Sequence, residues 1–367
     1  MIKNIIFILG TRPEAIKLAP VILKLKKHFN VEVCCTGQHQ KICFDVFKFF
    51  KIKINYILFR KYPISDLTVN LSKILLRLSK VLNTKKIDLV IIQGDTTSTL
   101  AGALFGFNNK IKIAHIEAGL RSHDQENPFP EESYREIISR LAYFNFCPTA
   151  EDKNNLKNEL IKSDHIYSVG NTVVDAINLV KNQNKFIGKL PDTSKDFILI
   201  TTHRRELFGV KLNSFLNLIK EIALKNKQIN FFFMIHPNPN ISISAKSILK
   251  NISNIILIKP QFYSNFIYLM NKALLIVSDS GGIQEEVITL NKPLFVIRKK
   301  TERSHGLKTN FIRLLGVDMN VIKRSIQEFI DNPLKNPKLI SNPYGDGNAS
   351  ERILLKLQDK ISNEFKS

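Results

Sequence analysis

Along most of the chain, short apolar runs alternate with longer stretches whose apolar residues recur every three or four positions. The first run, "NIIFILG", is followed by "PEAIKLAPVILKLKKH", where Ile16, Ala19, Ile22 and Leu23 fall at helical spacing. "VEVCCT" comes next, then a helix over 40–50, "NYILF", a helix over 66–82 and "IDLVIIQG". A helix over 98–108, "IKIAHIE", a helix over 131–143 and "FNFCP" continue the series. The runs are short, continuous and rich in β-branched residues, which predicts parallel strands covered by helices on both faces. The polar stretch "NLVKNQNKFIGKLPDTSKD" reads as a linker with a loop, after which the pattern restarts. "FILITT", a helix over 210–226, "INFFFMIHP", a helix over 241–250 and "NIILIKP" open the second series. A helix over 263–273, "LLIVSDS", a helix over 281–290 and "PLFVI" follow it. The turn-rich "NPYGDGNAS" leads to a last amphipathic helix over 349–364. The expected architecture is α/β: two doubly wound domains, residues 1–170 and 171–348, facing a cleft where ligands meet strand C-termini.

Composition changes this picture little. At 367 residues the chain is long enough for two domains of ordinary size. Its formal charge of +22 raises the question of a nucleic-acid or other anionic partner. The lysines are scattered, with only doublets such as Lys26-Lys27, Lys85-Lys86 and Lys299-Lys300, so solvated faces and a small anionic substrate are expected rather than nucleic acid. Nothing approaches a transmembrane run, and "MIKNIIFILG" reads as a first buried strand rather than a signal peptide. Cys34, Cys35, Cys43 and Cys147 lack paired metal-ligand spacing and read as small core residues in a reducing cytoplasm.

The candidate chemistry lies at strand ends. In "GTRPEAIK", Gly10 permits a tight turn and Arg12 stands at the positive end of a helix beside free backbone N–H groups, an anion site with Lys17 one turn further in. In "SDSGGIQEE", Ser280, Gly281 and Gly282 open a helix where a phosphate can approach the backbone. Glu286, four residues beyond Gly282, shares that helix face and can accept both hydroxyls of a ribose. Asp95 and Glu117 end apolar runs, and "PFPEES" places Glu131 and Glu132 at a helix start. Carboxylates converging near a diphosphate suggest proton transfer. "TTHRRE" adds His203, Arg204 and Arg205 at another strand end. Each feature has a plainer alternative: a solvated arginine in a turn, a glycine-started helix, a helix-start carboxylate, a structural histidine. His236 in "MIHPNP" divides evenly between ligand contact and loop support.

Together these residues resemble the non-hydrolysing UDP-N-acetylglucosamine 2-epimerases of bacteria. The matching segments, in family order, include "GTRPEAIKLAPVI", "TGQH", "QGDTTST", "HIEAGLRS", "PFPEE", "GNTVVDA", "THRRE", "HPNPN", "SDSGGIQEE", "TER" and "NPYGDGNAS". The resemblance implies a glycosyltransferase-B type fold of two Rossmann-like domains, with the C-terminal helix, 349–367, packing back on the first. It implies reversible epimerisation at C2 of UDP-GlcNAc to UDP-ManNAc through a 2-acetamidoglucal, in a cytoplasmic homodimer supplying surface polysaccharide. Asp95, Glu117 and Glu131 match the family's catalytic carboxylates, and His203 its histidine near the leaving phosphate. Arg12, Lys17, Ser280, Gly281, Gly282 and Arg303 would hold the diphosphate, Glu286 the ribose, and Gln261 and Phe266 the uracil. No cofactor and no metal are implied, in keeping with the lack of a complete dinucleotide fingerprint.

The chain departs from the family pattern in "TERSHGLKTN", at Tyr134, where an asparagine is usual, and in "RKYPISDL". The competing readings are a glycosyltransferase, a hydrolysing epimerase, an epimerase of a related uronate or 6-deoxy UDP-sugar, and a non-catalytic nucleotide-sugar-binding or nucleic-acid-binding protein.

Overall fold

The computed structural model describes residues 2–38, 40–60, 66–126, 128–183, 185–188, 190–202, 209–235, 238–301, 303–333 and 341–363. They form two units, one running to Asn182 and resuming at Tyr344, the other Gln183–Pro343.

The first unit begins with β1 (Asn4–Leu9), α1 (Arg12–Leu25), β2 (Asn30–Cys35), α2 (Gln40–Phe49) and β3 (Tyr56–Ile57). It continues with α3 (Leu67–Leu82), β4 (Leu89–Gln93), α4 (Thr97–Asn108), β5 (Lys112–Ile116) and α5 (Glu131–Leu141). β6 (Phe144–Cys147), α6 (Ala150–Asn158), β7 (Ile166–Ser168) and α7 (Thr172–Gln183) complete its continuous part. The strands make one parallel sheet in the order β3-β2-β1-β4-β5-β6-β7. Alternate residues of the central strands, Ile6, Ile8, Val90, Ile92 and Ile113, pack with Ile74 and Leu78 of α3 and Leu100 and Ala101 of α4. The remaining alternates, Ile5, Phe7, Leu89 and Ile91, are also buried, which is why these runs are continuous rather than alternating. Strand order reverses between β1 and β4, so the loops leaving those two strands diverge and leave a crevice at their C-terminal ends.

The second unit holds β8 (Phe197–Thr201), α8 (Val210–Lys225), β9 (Asn230–Met234), α9 (Pro239–Leu249), β10 (Ile255–Ile258) and α10 (Tyr263–Lys272). β11 (Leu275–Ser278), α11 (Gly281–Leu290), β12 (Leu294–Val296), α12 (Ser304–Leu307), β13 (Ile312–Leu314) and α13 (Met319–Asp331) follow. Its sheet is again parallel, in the order β10-β9-β8-β11-β12-β13, with the reversal between β8 and β11. Phe215, Phe231, Phe233, Phe295 and Phe329 fill one side of it, and Phe197 stacks on Phe232 at 4.2 Å.

Two boundaries differ from the sequence reading. The division falls after Asn182 rather than at 170, because α7 buries Val173, Val174, Ala176 and Ile177 within the first unit. The supposed linker is helical as far as Gln183 for the same reason. The last helix, α14 (Ala349–Asn363), belongs to the first unit. Buried Asp175 of α7 caps it, accepting from the N–H groups of Ala349 and Ser350 and from the Ser350 hydroxyl, and Lys24 of α1 pairs with Glu351. Burial pushes the Asp175 carboxyl up, although the hydrogen bonds from Ser350 and Ala349 pull it down.

Gly119, in the loop after β5, has φ +87°, and a Cβ there would stand 2.1 Å from the backbone oxygen of Asp152. Neither backbone can yield. Gly119→Ala is expected to cost about 2–4 kcal/mol, read as a lower midpoint in chemical denaturation with an unchanged slope.

Candidate functional site

The crevice of the first unit is lined by the turns after β1, β4 and β5. The first two are tied together by Glu14, the third residue of α1. Its Oε2 accepts from Gly10 N (2.9 Å) and Thr11 N (2.6 Å), and its Oε1 from the hydroxyls of Thr96 and Thr99, both at 2.8 Å. Burial pushes this carboxyl up, against the pull of the hydrogen bonds from Thr11, Gly10, Thr96 and Thr99. The N–H groups of Gly10 and Thr11, in the turn just ahead of α1, are thus taken by the chain's own carboxylate, and Arg12 is the first residue of the helix.

Lys17, one turn on, is buried and donates to Oε2 of Glu117, also buried. Glu117 follows β5 directly and has φ +67°, a left-handed conformation that ordinary side chains avoid. Backbone strain of about 1–3 kcal/mol at a strand end, under a buried charged pair, is the kind of feature that marks a working site. Beside it, Gly94 N bonds Ile116 O at 3.1 Å, so the turn carrying Asp95 lies along the strand that carries Glu117.

Asp95 is gripped by Arg135 of α5. Nε (2.8 Å) and Nη2 (2.6 Å) both reach Oδ2. The same guanidinium donates through Nη1 to Glu132 Oε2 at 2.7 Å, and Glu132 Oε1 accepts from the N–H groups of Ser122 and His123. Burial alone would raise the Glu132 carboxyl; those two N–H groups and Arg135 outweigh it and hold it below the usual range. Glu131, the first residue of α5, stands where the helix dipole favours a carboxylate. Behind the Asp95 turn, fully buried His115 of β5 meets Gly94 O through Nε2 at 2.8 Å. Burial lowers its imidazole to about 4; the Gly94 bond and Asp95 oppose the shift, while Arg121 and Arg135 reinforce it.

In the second unit, the loops after β8 and β11 are joined by Thr202 Oγ1 donating to buried Asp279 at 2.8 Å and by Thr201 bonded to Ser278 at 2.7 Å. Ser280 precedes α11, whose first residues are Gly281 and Gly282. Among the described residues nothing accepts from their N–H groups, as expected of a helix start. A Cβ at Gly282 would meet nothing within 4 Å, so packing does not require glycine there. What its bareness leaves open is the approach of an anion to the helix N-terminus. Glu286 lies one turn further along α11 and is nearly buried. Arg303 is held to this helix through Nε to Glu285 Oε1 at 3.3 Å, and Thr301 donates to Gln284 at 2.8 Å. Gln261 precedes α10 and donates to Lys259 O at 2.8 Å; Phe266, on that helix, has a buried ring.

The sequence reading missed Glu14, Arg135, His115 and Asp279, and named Glu132 only as a helix-start carboxylate. Glu14 stands three after Thr11, a capping-box spacing, and Glu132 and Arg135 are an i,i+3 pair, but such residues in the first turns of helices are usually solvated. His203, Arg204, Arg205 and His236 lie outside the described residues.

A family model described as UDP-N-acetylglucosamine 2-epimerase matches residues 22–358. A UDP-N-acetylglucosamine 2-epimerase of Campylobacter jejuni is 41% identical, over 99% of this chain and 100% of its own length. The chain belongs to the UDP-N-acetylglucosamine 2-epimerase family. A solved epimerase of this family from Neisseria meningitidis, bound to UDP-GlcNAc, is 39% identical with a TM-score of 0.89, covering 98% of this chain and 100% of its own. A structure described as a putative UDP-N-acetylglucosamine 2-epimerase from Listeria monocytogenes gives 0.92 at 32% identity, over 99% of this chain and 98% of its own. The two parallel-sheet units are therefore the family's glycosyltransferase-B-like fold.

Proposed function

We propose that this protein catalyses the reversible inversion of UDP-N-acetylglucosamine at C2, giving UDP-N-acetylmannosamine by loss and re-addition of UDP. The C2 proton is not acidic in the intact sugar. Breaking the anomeric C–O bond builds positive charge at C1 and acidifies C2. A carboxylate then takes the proton, leaving 2-acetamidoglucal and UDP. On return, UDP re-forms the bond to C1 while a proton reaches the other face of C2. Every proton and electron pair that leaves comes back, so the reaction needs no redox cofactor.

The observation that carries this reading is Glu117, held in left-handed backbone at the end of a buried strand with Lys17 on its carboxylate. Asp95, in the turn after the neighbouring strand β4, and Glu131 are assigned the further acid, base and counter-charge that two-faced proton transfer requires. His203 is assigned to the leaving diphosphate. Arg12, Lys17, Arg303 and the Ser280–Gly282 turn are assigned to the diphosphate, Glu286 to the ribose, and Gln261 and Phe266 to the uracil. The 39% identity to a relative solved with UDP-GlcNAc supports that substrate. The reading extends to a cytoplasmic homodimer that serves surface polysaccharide synthesis. No described helix is long and apolar enough to cross a membrane.

Incubation with UDP-GlcNAc is expected to yield UDP-ManNAc at a fixed ratio. Accumulation of free ManNAc with UDP would instead indicate a hydrolysing enzyme. A second test addresses the helix start. Gly282→Ala has room for its methyl and exchanges glycine for a better helix former, so the melting temperature should hold or rise. The methyl also keeps phosphate off the backbone, so UDP affinity measured by calorimetry should fall about tenfold or more.

A further inference from the structure

Arg135 is the one described side chain that touches both the Asp95 turn and the Glu132 bond to the loop after β5. Its guanidinium is nearly buried, whereas the Asp95 side chain retains 22% exposure. Both contacts to Asp95 fall on Oδ2, and among the described residues nothing donates to Oδ1. Arg135 lies four residues after Glu131 on the same helix, so the contact fixes Asp95 relative to Glu131. Through Nη1 it reaches Glu132, whose other oxygen holds the N–H groups of Ser122 and His123 in the segment that continues from Glu117. The carriers of the three candidate carboxylates thus meet at one fork.

We propose that Arg135 is the positioning residue of this site: it clamps Oδ2 of Asp95 against α5, leaving Oδ1 as the oxygen that exchanges a proton with the sugar. The inference rests on the epimerase reading above. A planar fork with several donors in fixed directions can hold two carboxylates at once, and a lysine ammonium cannot reproduce that geometry. Loss of the fork leaves Asp95 able to rotate, so the effect falls on turnover rather than on substrate binding.

The test is a double-mutant cycle on the full chain with UDP-GlcNAc as substrate. Arg135→Met is expected to keep KM within about threefold and lower kcat by about 10² or more. If Arg135 acts through Asp95, Asp95→Asn with Arg135→Met is no slower than Asp95→Asn alone, within about threefold. Multiplying losses, or a kcat for Arg135→Met within about threefold of the unmodified protein, overturns the proposal. Should Arg135→Met fail to fold by near-ultraviolet circular dichroism, Arg135→Lys takes its place in the same cycle. It keeps the charge, and the same loss of kcat and the same non-additivity are expected of it; additivity overturns the proposal there too. The unmodified protein is the control for the underlying reading: if it forms no UDP-ManNAc, the epimerase assignment fails, a result separate from the behaviour of the cycle.

Discussion

Replacing Glu117 by glutamine is expected to lower turnover by about 10²-fold or more, the usual weight of a positioned acid or base. The size of the effect follows from where the carboxylate stands. Glu117 and Lys17 are both buried, so the charge of one is set largely against the other rather than against water. Glutamine has the same shape and keeps an oxygen that can accept from Lys17, but it can neither take a proton nor balance the ammonium. Its amide accepts the left-handed backbone no worse than glutamate does. Stability should also fall, by about 3–5 kcal/mol, the cost of leaving a buried ammonium without its counter-charge. Turnover at saturating UDP-GlcNAc, with melting curves on the same samples, separates the two effects. A folded Glu117→Gln protein with near-normal turnover would remove this residue from the chemistry.

The second large effect is on stability against acid. His115 is neutral when folded, with its imidazole lowered to about 4 from the ordinary 6.5 by burial. A base whose folded value is depressed binds its proton first in the unfolded chain. Its contribution is therefore fully present above pH 6.5 and is lost as pH falls through the folded value near 4. The lost stability is about 3 kcal/mol across that window. Other groups titrate there too: Glu14 and Asp175, raised by burial, contribute with the opposite sign, and Glu132 adds to the loss. The difference between the protein and His115→Gln isolates the histidine. Urea midpoints from pH 7 to 4 should converge as pH falls, and parallel curves would contradict the burial argument.

How far the sequence led is clearest at individual elements. Fully buried strands such as "LVIIQ" and "FILIT" are legible because nothing but strand covered on both faces explains them at that length. α6 was missed because "AEDKNNLKN" buries only Asp152 and Leu156, too little for a readable stripe. α13 was missed although Ile322, Ile326 and Phe329 recur at helical spacing. In the site, Asp95, Glu117 and Ser280 announced themselves by interrupting or ending apolar runs. Glu14 and Arg135 did not, because charged residues in the first turns of helices are usually solvated; only the fold shows that these two are enclosed and tie turns together. The same enclosure takes up the N–H groups of Gly10 and Thr11 in the turn ahead of α1.

In the proposed reaction C2 loses its proton to the protein and regains one from it while UDP is detached. Proton NMR of UDP-GlcNAc with the protein in deuterated water tests this directly. UDP-ManNAc carrying deuterium at C2 is expected, with the C2 signal of the UDP-GlcNAc pool fading as equilibrium is approached. Epimer that forms with its original C2 proton retained would contradict it.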